Sequence, residues 1–161
     1  MPYYVSPKTR DMTYNRILIL ILLAFASAPA AFAQVKLGKT ETGHASYYAT
    51  RFNGKKTSFG EVHKSTELSA AHRSYSLNTM LEVTNLDNDE KVIVRVNDRG
   101  PYAKNRLVDL SNEAARLLGI IAKGVANVSI RVVGMEGMVL LDHNEQIDQK
   151  SGKVVAMRGN R

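Results

Sequence analysis

The chain has 161 residues, 44% apolar and 23% charged, an ordinary globular mixture that excludes disordered and collagen-like proteins and leaves room for one domain. It contains no cysteine, which excludes disulfide frameworks, cysteine metal sites, a thiol nucleophile and lipidation at cysteine, and no tryptophan for stacking on sugars. The net charge of +7 attracts polyanions such as nucleic acid, anionic lipid or cell-wall polymers, without choosing among them.

The N-terminus has the three-part pattern of a secretory signal. Basic residues come first, an unbroken apolar run covers Ile17–Ala26, and a small-residue stretch ends in Ala31-Phe32-Ala33. The apolar run is short for a membrane span, which disfavours the alternative of an uncleaved anchor. Cleavage after Ala33 would remove three basic residues and one acid, leaving 128 residues with a net charge of +5. Export argues against a nucleic-acid partner, and we expect no membrane anchor after cleavage.

Short strands dominate the first part of the remaining chain. After a polar lead-in at 34–42, Gly43–Tyr48 predicts a first strand. Two β-branched runs at Met80–Thr84 and Lys91–Val96 flank a polar loop, which predicts a hairpin. The second arm of this hairpin places Val92, Val94 and Val96 on one face, with Ile93 and Arg95 on the other.

The clearest helix covers Ser111–Gly119. Ser111 is a good N-cap, Glu113 suits the positive end of a helix, and Gly119 suits the position just past its end. A last strand is predicted at Val128–Val133. Short strands with one or two short helices favour a mainly β, compact barrel. We predict that residues 134–161 form a partly disordered extension, with one more strand at Met138–Leu141.

The most unusual stretch is Asn97-Asp98-Arg99-Gly100-Pro101. It begins where the strongest strand ends, so Asp98 can project into a groove while Gly100 and Pro101 turn the chain. The alternative is a structural turn in which Asp98 caps local N–H groups and pairs with Arg99.

A second carboxylate, Glu61, follows the loop Thr57–Gly60. Taken alone it would be a solvated surface acid. Two carboxylates that face one sugar groove can divide acid and base roles if their surroundings separate their pKa values. Glu61 and Asp98 are therefore a candidate pair.

Several other side chains are candidates for the site. His72 either binds substrate or is a hydrogen-bonded structural histidine. Tyr47 and Tyr48 alternate on a strand, so we expect one in the core and one on a surface, where it could stack on a sugar. Arg106 and Asp109 are favoured as structural support near the helix start. The histidines have no metal-ligand spacing and no serine has a nucleophile elbow, so we predict no metal and no cofactor.

Five motifs, in this order, resemble the rare lipoprotein A family. They are GHASYY at Gly43–Tyr48, TSFGE at Thr57–Glu61, AAH at Ala70–His72, NDRGP at Asn97–Pro101, and RLVDLS at Arg106–Ser111. The resemblance covers Gly43–Val133 and implies a six-stranded double-psi β-barrel, related in shape to expansin domains. It also implies a periplasmic lytic transglycosylase that cuts peptidoglycan glycan strands and prefers strands lacking stem peptides. The resemblance makes Asp98 the proposed catalytic acid and Glu61 the proposed second carboxylate.

The sequence departs from the family pattern at several places. Tyr47 stands where the family usually has Trp, and Phe59 stands where it usually has Ser. The loop Tyr75–Thr79 replaces the usual LPLGT. The lipobox cysteine and the C-terminal peptidoglycan-binding domain of the family have no counterpart in the sequence, from which we expect an unanchored protein.

These observations predict an exported monomer that cleaves the bond between N-acetylmuramic acid and N-acetylglucosamine and forms a 1,6-anhydro end. The periplasm is the expected compartment, with the cell exterior as the alternative. Basic residues at 51–56 are expected to contact the anionic wall. Asp98 and Glu61 are the catalytic candidates. The candidates for substrate binding are Tyr48, His72, Asn97, Arg99 and Tyr47. The candidates for structural support are Arg106, Asp109, Gly100 and Pro101.

Two other functions stay open at this stage. One is a non-catalytic, expansin-like module that binds the wall without cutting it, which the changes at Tyr47 and Phe59 keep open. The other is a secreted effector that acts on the wall of a host or competitor, which the export signal permits.

Overall fold

The computed structural model describes residues 36–148 and 150–157, so the predicted signal at 1–33 lies outside the described residues. No helix in the described residues is long and apolar enough to cross a bilayer. Short strands dominate, as predicted, with a 3-10 turn at Thr50–Phe52. The other elements are β1 (Thr40–Tyr47), β2 (Ser69–His72), β3 (Thr79–Asn85), β4 (Lys91–Asp98), β5 (Val108–Leu110), α1 (Asn112–Leu117), β6 (Ala126–Met135), β7 (Met138–Val139), β8 (Glu145–Ile147) and β9 (Val154–Ala156).

Six strands close into a barrel by pairing around a complete ring. The order is β1-β5-β2-β4-β3-β6, and β6 pairs again with β1. The β1–β5 and β2–β4 pairs are parallel, whereas the other four pairs are antiparallel. Closure leaves the ring without an unpaired edge. This closed, mixed barrel with its short helix confirms the predicted double-psi β-barrel.

The core lies inside the barrel and follows the alternation of the strands. Val92, Val94 and Val96 of β4 are fully buried in the main core, while Arg95 points outward as a partly buried side chain. Ile93 packs on the outside in a second, smaller cluster. The two faces predicted for this strand are therefore confirmed. Alternate positions of β6 fill the same core, namely Val128, Ile130 and Val132.

Helix α1 begins and ends where its capping residues predict. The Ser111 hydroxyl accepts a hydrogen bond from the Ala114 N–H at 3.3 Å, which satisfies one of the free donors at the helix start. Gly119 lies just past the helix with φ of +72°, a conformation that favours glycine. Ala114 and Leu118 are fully buried, so the apolar face of the helix packs on the barrel core.

The boundaries of the barrel are wider than the predicted span of 43–133. Strand β1 begins at Thr40, inside the predicted lead-in, because Thr40–Thr42 pair with Ser129–Arg131 of β6. At the other end, β6 continues to Met135 and pairs with β7.

The segment predicted as a partly disordered extension contains an ordered hairpin of β8 and β9. Its polar residues pair with charges on the barrel: Lys91 with Glu145 at 2.5 Å, and Lys153 with Glu90 at 2.6 Å. Val154 is buried against Ile93 on the outer face of the barrel. The charged residues of this segment therefore form ion pairs with β4 and the loop before it. The contact between Val154 and Ile93 packs the hairpin against the barrel.

The buried and exposed leucines of the β3 region provide a test of the core. Leu81 is fully buried, whereas Leu86 is 47% exposed. We expect Leu81→Ala to lower the free energy of unfolding by about 3 kcal/mol, because it leaves a cavity in the core. Leu86→Ala should change it by less than about 0.5 kcal/mol. Urea unfolding followed by circular dichroism measures both, and equal losses would contradict this account of the core.

Candidate active site

An open groove with a volume of about 450 Å³ lies at one end of the barrel. The end of β1, the 3-10 turn, the loop after it and the turn that follows β4 all contribute to its walls. The residues that line the groove are Tyr47, Tyr48, Ala49, Arg51, Phe52, Lys56, Ser58, Ala71, Asp98, Arg99, Gly100, Pro101, Tyr102, Arg106 and Asp109.

Asp98, the last residue of β4, presents its carboxylate to this groove with three hydrogen bonds. Oδ1 accepts from the backbone N–H groups of Ser58 and Arg99, each at 2.7 Å. Oδ2 accepts from the Tyr48 hydroxyl at 2.8 Å. Burial alone would raise the pKa of Asp98, but these donors outweigh it and lower the pKa below its usual value. The free protein therefore holds Asp98 ionised at neutral pH.

The turn after Asp98 fixes the direction of the chain. Gly100 has φ of +142°, a backbone conformation that side chains rarely adopt, and a Cβ there would lie 3.6 Å from Cβ of Ala71. Pro101 is buried and follows through a cis peptide bond. These two residues form the turn that directly follows Asp98.

Tyr48 connects Asp98 to the neighbouring loop. Its ring contacts His63 at 4.3 Å and the edge of Phe52 at 5.8 Å between ring centroids. Burial, together with the hydrogen bond to Asp98, raises the pKa of Tyr48, so the phenol remains a protonated donor.

Tyr47 also lines the groove, and its hydroxyl donates to the Ile121 carbonyl at 3.1 Å. Tyr47 is partly buried and packs against the main core, as expected for one of the two tyrosines, although its ring also reaches the groove.

Glu61 does not line the groove and is bound by Arg95. The guanidinium donates in a two-pronged arrangement, Nη1 to Oε1 at 2.9 Å and Nη2 to Oε2 at 2.7 Å. These hydrogen bonds lower the pKa of Glu61 despite partial burial. The structure thus places the two candidate carboxylates in different surroundings: Asp98 faces the groove, and Glu61 is held in an ion pair.

Two predicted substrate-binding residues are buried instead. His72 Nδ1 accepts hydrogen bonds from the N–H groups of Ser74 and Tyr75, and burial lowers its pKa to about 4. The imidazole is therefore neutral, and it stacks on the Tyr75 ring at 4.2 Å. Asn97 is fully buried; its amide approaches Glu61 but forms no hydrogen bond within the described residues. Neither side chain lines the groove.

Arg99 lines the groove while also supporting the turn. Its guanidinium donates to the carbonyl oxygens of His72 and Tyr75 and lies 4.6 Å from the centre of the Phe59 ring. Phe59, one of the departures from the family pattern, therefore supports an arginine of the groove by a cation–π contact. Arg106 and Asp109 form an ion pair at 3.3 Å between Nε and Oδ1, and both line the groove.

Two residues near Asp98 were not predicted from the sequence. His63 is 3% exposed and packs on Tyr48, and burial lowers its pKa. Nothing in the loop around it signals this contact, because the partner ring lies on another element. Tyr102 follows the NDRGP motif directly and is 85% exposed on the groove wall, so its position next to the motif could have indicated it.

The comparisons with known proteins agree with the fold and the motifs. A family model described as lytic transglycolase matches residues 40–130. A relative from Campylobacter jejuni is 50% identical over 100 residues, which cover 62% of this chain and 36% of the relative. Another from Helicobacter pylori is 39% identical over 122 residues, which cover 76% of this chain and 39% of the relative. Both are named endolytic peptidoglycan transglycosylase RlpA.

The family model covers more than half of the chain, and the chain therefore belongs to the lytic transglycolase family of double-psi β-barrels. Within it, the chain is a member of the rare lipoprotein A group, as its motifs predict. It spans less than two fifths of the length of either relative. A Streptomyces papain inhibitor shares the fold with a TM-score of 0.50 and 20% identity, over 61% of this chain and 97% of that protein.

The Tyr48 hydrogen bond provides a test of the site. Tyr48→Phe keeps the ring and removes one of the donors that stabilise the Asp98 carboxylate, so it should raise the pKa of Asp98. Tyr47→Phe is the matched control and should leave that pKa unchanged, because its hydroxyl donates to Ile121 instead. A pH titration of carboxyl ¹³C shifts by NMR measures both, and equal values in both variants would contradict the geometry described here.

Proposed function

We propose that this protein is an endolytic lytic transglycosylase of peptidoglycan. It would cleave the bond between N-acetylmuramic acid and N-acetylglucosamine in glycan strands and leave a 1,6-anhydro end. The observation that carries the proposal is the Asp98 carboxylate. It accepts three hydrogen bonds and faces an open groove of the double-psi β-barrel. The printed names of the relatives support the same reaction class.

Asp98 is proposed to act twice in this reaction. In its protonated form it donates the proton to the glycosidic oxygen as the bond to the muramoyl anomeric carbon breaks. The muramoyl 6-hydroxyl then attacks that carbon, and its proton passes to the Asp98 carboxylate. The cycle consumes no water and returns Asp98 to its starting state. The donors on Asp98 hold its carboxylate in place between the two steps.

Glu61 fits a positioning role better than a direct proton transfer. Its carboxylate is bound on both oxygens by Arg95, while its backbone carbonyl accepts from the Thr57 N–H at 2.7 Å. Thr57 precedes Ser58, whose N–H binds Asp98. Glu61 would thus hold the loop that supplies one of the donors to Asp98.

A preference for strands lacking stem peptides is part of this proposal, with the lactyl carboxylates of such strands as the proposed contacts of the groove cations. Arg51 and Lys56 line it, and within the described residues neither has a carboxylate partner. In a strand without stem peptides the lactyl carboxylate of each muramic acid is free, whereas a peptide converts it to a neutral amide. The unpaired cations favour the free carboxylate.

Export to the cell envelope follows from this substrate, because peptidoglycan lies outside the cytoplasmic membrane. The signal pattern at residues 1–33 supports that location, with the periplasm as the proposed compartment. Glycan strands are the proposed partner, and the protein is proposed to act as a monomer.

Replacing the groove carboxylate tests the activity directly. Asp98→Asn keeps the size of the side chain but cannot exchange a proton, so we expect product formation to fall by at least about 100-fold. Purified sacculi would be digested, and mass spectrometry would count 1,6-anhydromuramoyl ends. Glu61→Gln should retain more activity than Asp98→Asn, because Glu61 acts through the loop.

The result also separates the proposal from its alternative. Anhydro ends that form equally with the wild type and Asp98→Asn would exclude Asp98 from the mechanism. Tight binding of sacculi by well-folded wild-type protein without any anhydro ends would favour the non-catalytic module.

The low pKa of Asp98 determines the expected pH dependence. The acid step requires the protonated form of Asp98. Because the pKa of Asp98 is below its usual value, the protonated fraction of the free protein falls with rising pH from an unusually low pH onward. We therefore expect kcat/KM on soluble glycan strands to fall as pH rises through the weakly acidic and neutral range. A kcat/KM that instead rises with pH would indicate that Asp98 acts first as a base.

Stability must be followed in the same pH series. Asp98 and Glu61 both have lowered pKa values in the folded protein. The two ionised carboxylates therefore add to the free energy of unfolding. This contribution is complete above the pKa values that the two groups have in the unfolded chain, and it is lost as pH falls through their pKa values in the folded protein. Circular dichroism at each pH limits the kinetic analysis to conditions where the fold is intact.

A further inference from the structure

Tyr102 is the most exposed large apolar side chain in the described part of the protein. Its 85% exposure contrasts with the burial of Pro101 beside it. The ring stands on the wall of the groove that contains Asp98, where the mechanism described above does not use it. An aromatic ring at the edge of a groove offers an apolar face and a hydroxyl to a ligand that enters the groove.

The backbone on both sides of Tyr102 is held by one arginine. Arg73 Nε donates to the Pro101 carbonyl at 2.7 Å, and Nη2 donates to the carbonyls of Ala103 and Arg106 at 2.6 and 2.8 Å. The planar guanidinium thereby binds the loop on either side of the tyrosine. The ring is exposed, but the backbone segment that carries it is anchored beside the groove.

A second depression adjoins the groove at this segment. Its volume is about 470 Å³, and Arg73, Arg99, Gly100, Pro101 and Tyr102 line it. The last four of these residues also line the groove of Asp98. Tyr102 therefore lines both depressions, of which the second is shallow and open to solvent.

We infer that Tyr102 is a stacking platform that carries the glycan strand from the Asp98 groove into the second depression. This inference rests on the proposed function. A pyranose ring has an apolar face of C–H groups and a polar rim, which match the apolar face and the hydroxyl of a tyrosine. The ligand is an N-acetylated sugar of the strand beyond the two that flank the bond to be cut.

The composition and the polar groups of the second depression fit this ligand. The chain has no tryptophan, so sugar stacking falls to tyrosine or phenylalanine. Arg73 and Arg99 contribute N–H donors to the wall, which suit hydroxyl and acetamido oxygens of a sugar.

A binding measurement tests the platform without depending on catalysis. Fluorescently labelled, peptide-free glycan strands would be titrated with the Asp98→Asn protein and with Asp98→Asn combined with Tyr102→Ala. We expect Tyr102→Ala to raise Kd about five-fold through the loss of stacking. Tyr102→Phe, which keeps the ring, should recover most of the affinity. Met138→Ala is the matched control, because Met138 is 68% exposed on β7 and does not line either depression.

Kinetics with strands of two lengths adds a second readout. For otherwise wild-type protein, Tyr102→Ala should raise KM for long strands about five-fold and leave kcat within about two-fold. The effect on a tetrasaccharide should be smaller, because fewer sugars reach the second depression.

The outcomes separate this inference from the proposed function. Unchanged Kd and KM in Tyr102→Ala, with normal anhydro products from the wild type, would overturn the platform alone. Absence of products from the wild type would overturn the proposed function, and the Kd comparison would still decide the role of Tyr102. Equal weakening in Met138→Ala would also overturn the platform.

Discussion

The hydrogen bond between Tyr48 and Asp98 depends on the pairing of β1, β5, β2 and β4, and the proposed site depends on that bond. The two residues are 50 positions apart. Strand register brings them together: Tyr47 is opposite Leu110, Leu110 is opposite Ala70, and Ala71 is opposite Asp98. A shift of one residue in any of these pairs would turn side chains to the other face of the sheet. The register of these four strands is therefore what positions the catalytic candidate.

Charge is used differently in two parts of the described structure. Beside the C-terminal hairpin the cations are paired, and Arg131 alone contacts Glu82, Asp142 and Glu145. In the groove, Arg51 and Lys56 line the wall without a carboxylate partner in the described residues. Paired charges attach the hairpin to the barrel, whereas unpaired charges remain available to an anionic ligand. The basic composition of the chain thus supports both packing and binding.

Local chemistry made much of the fold predictable. The cap at Ser111, the alternation of β4 and the polar loop between β3 and β4 each follow from residues that are close in sequence. The hairpin of β8 and β9 was not predicted as ordered, because its partners Lys91 and Glu90 lie 54 and 63 residues away from Glu145 and Lys153. His63 was missed for the same reason, since its contact with Tyr48 joins two separate segments.

The sequence by itself determined the secondary-structure pattern, the family motifs and the position of Asp98 at the end of a strand. Only the tertiary structure decided which carboxylate faces the groove. Asp98 receives donors from Ser58 and Tyr48, while Glu61 is bound by Arg95. It also decided that His72 and Asn97 are buried and that Tyr102 is exposed. The physical reason is that separation along a chain carries no distance, whereas hydrogen bonds, burial and pKa depend on distances that exist only after the barrel has closed.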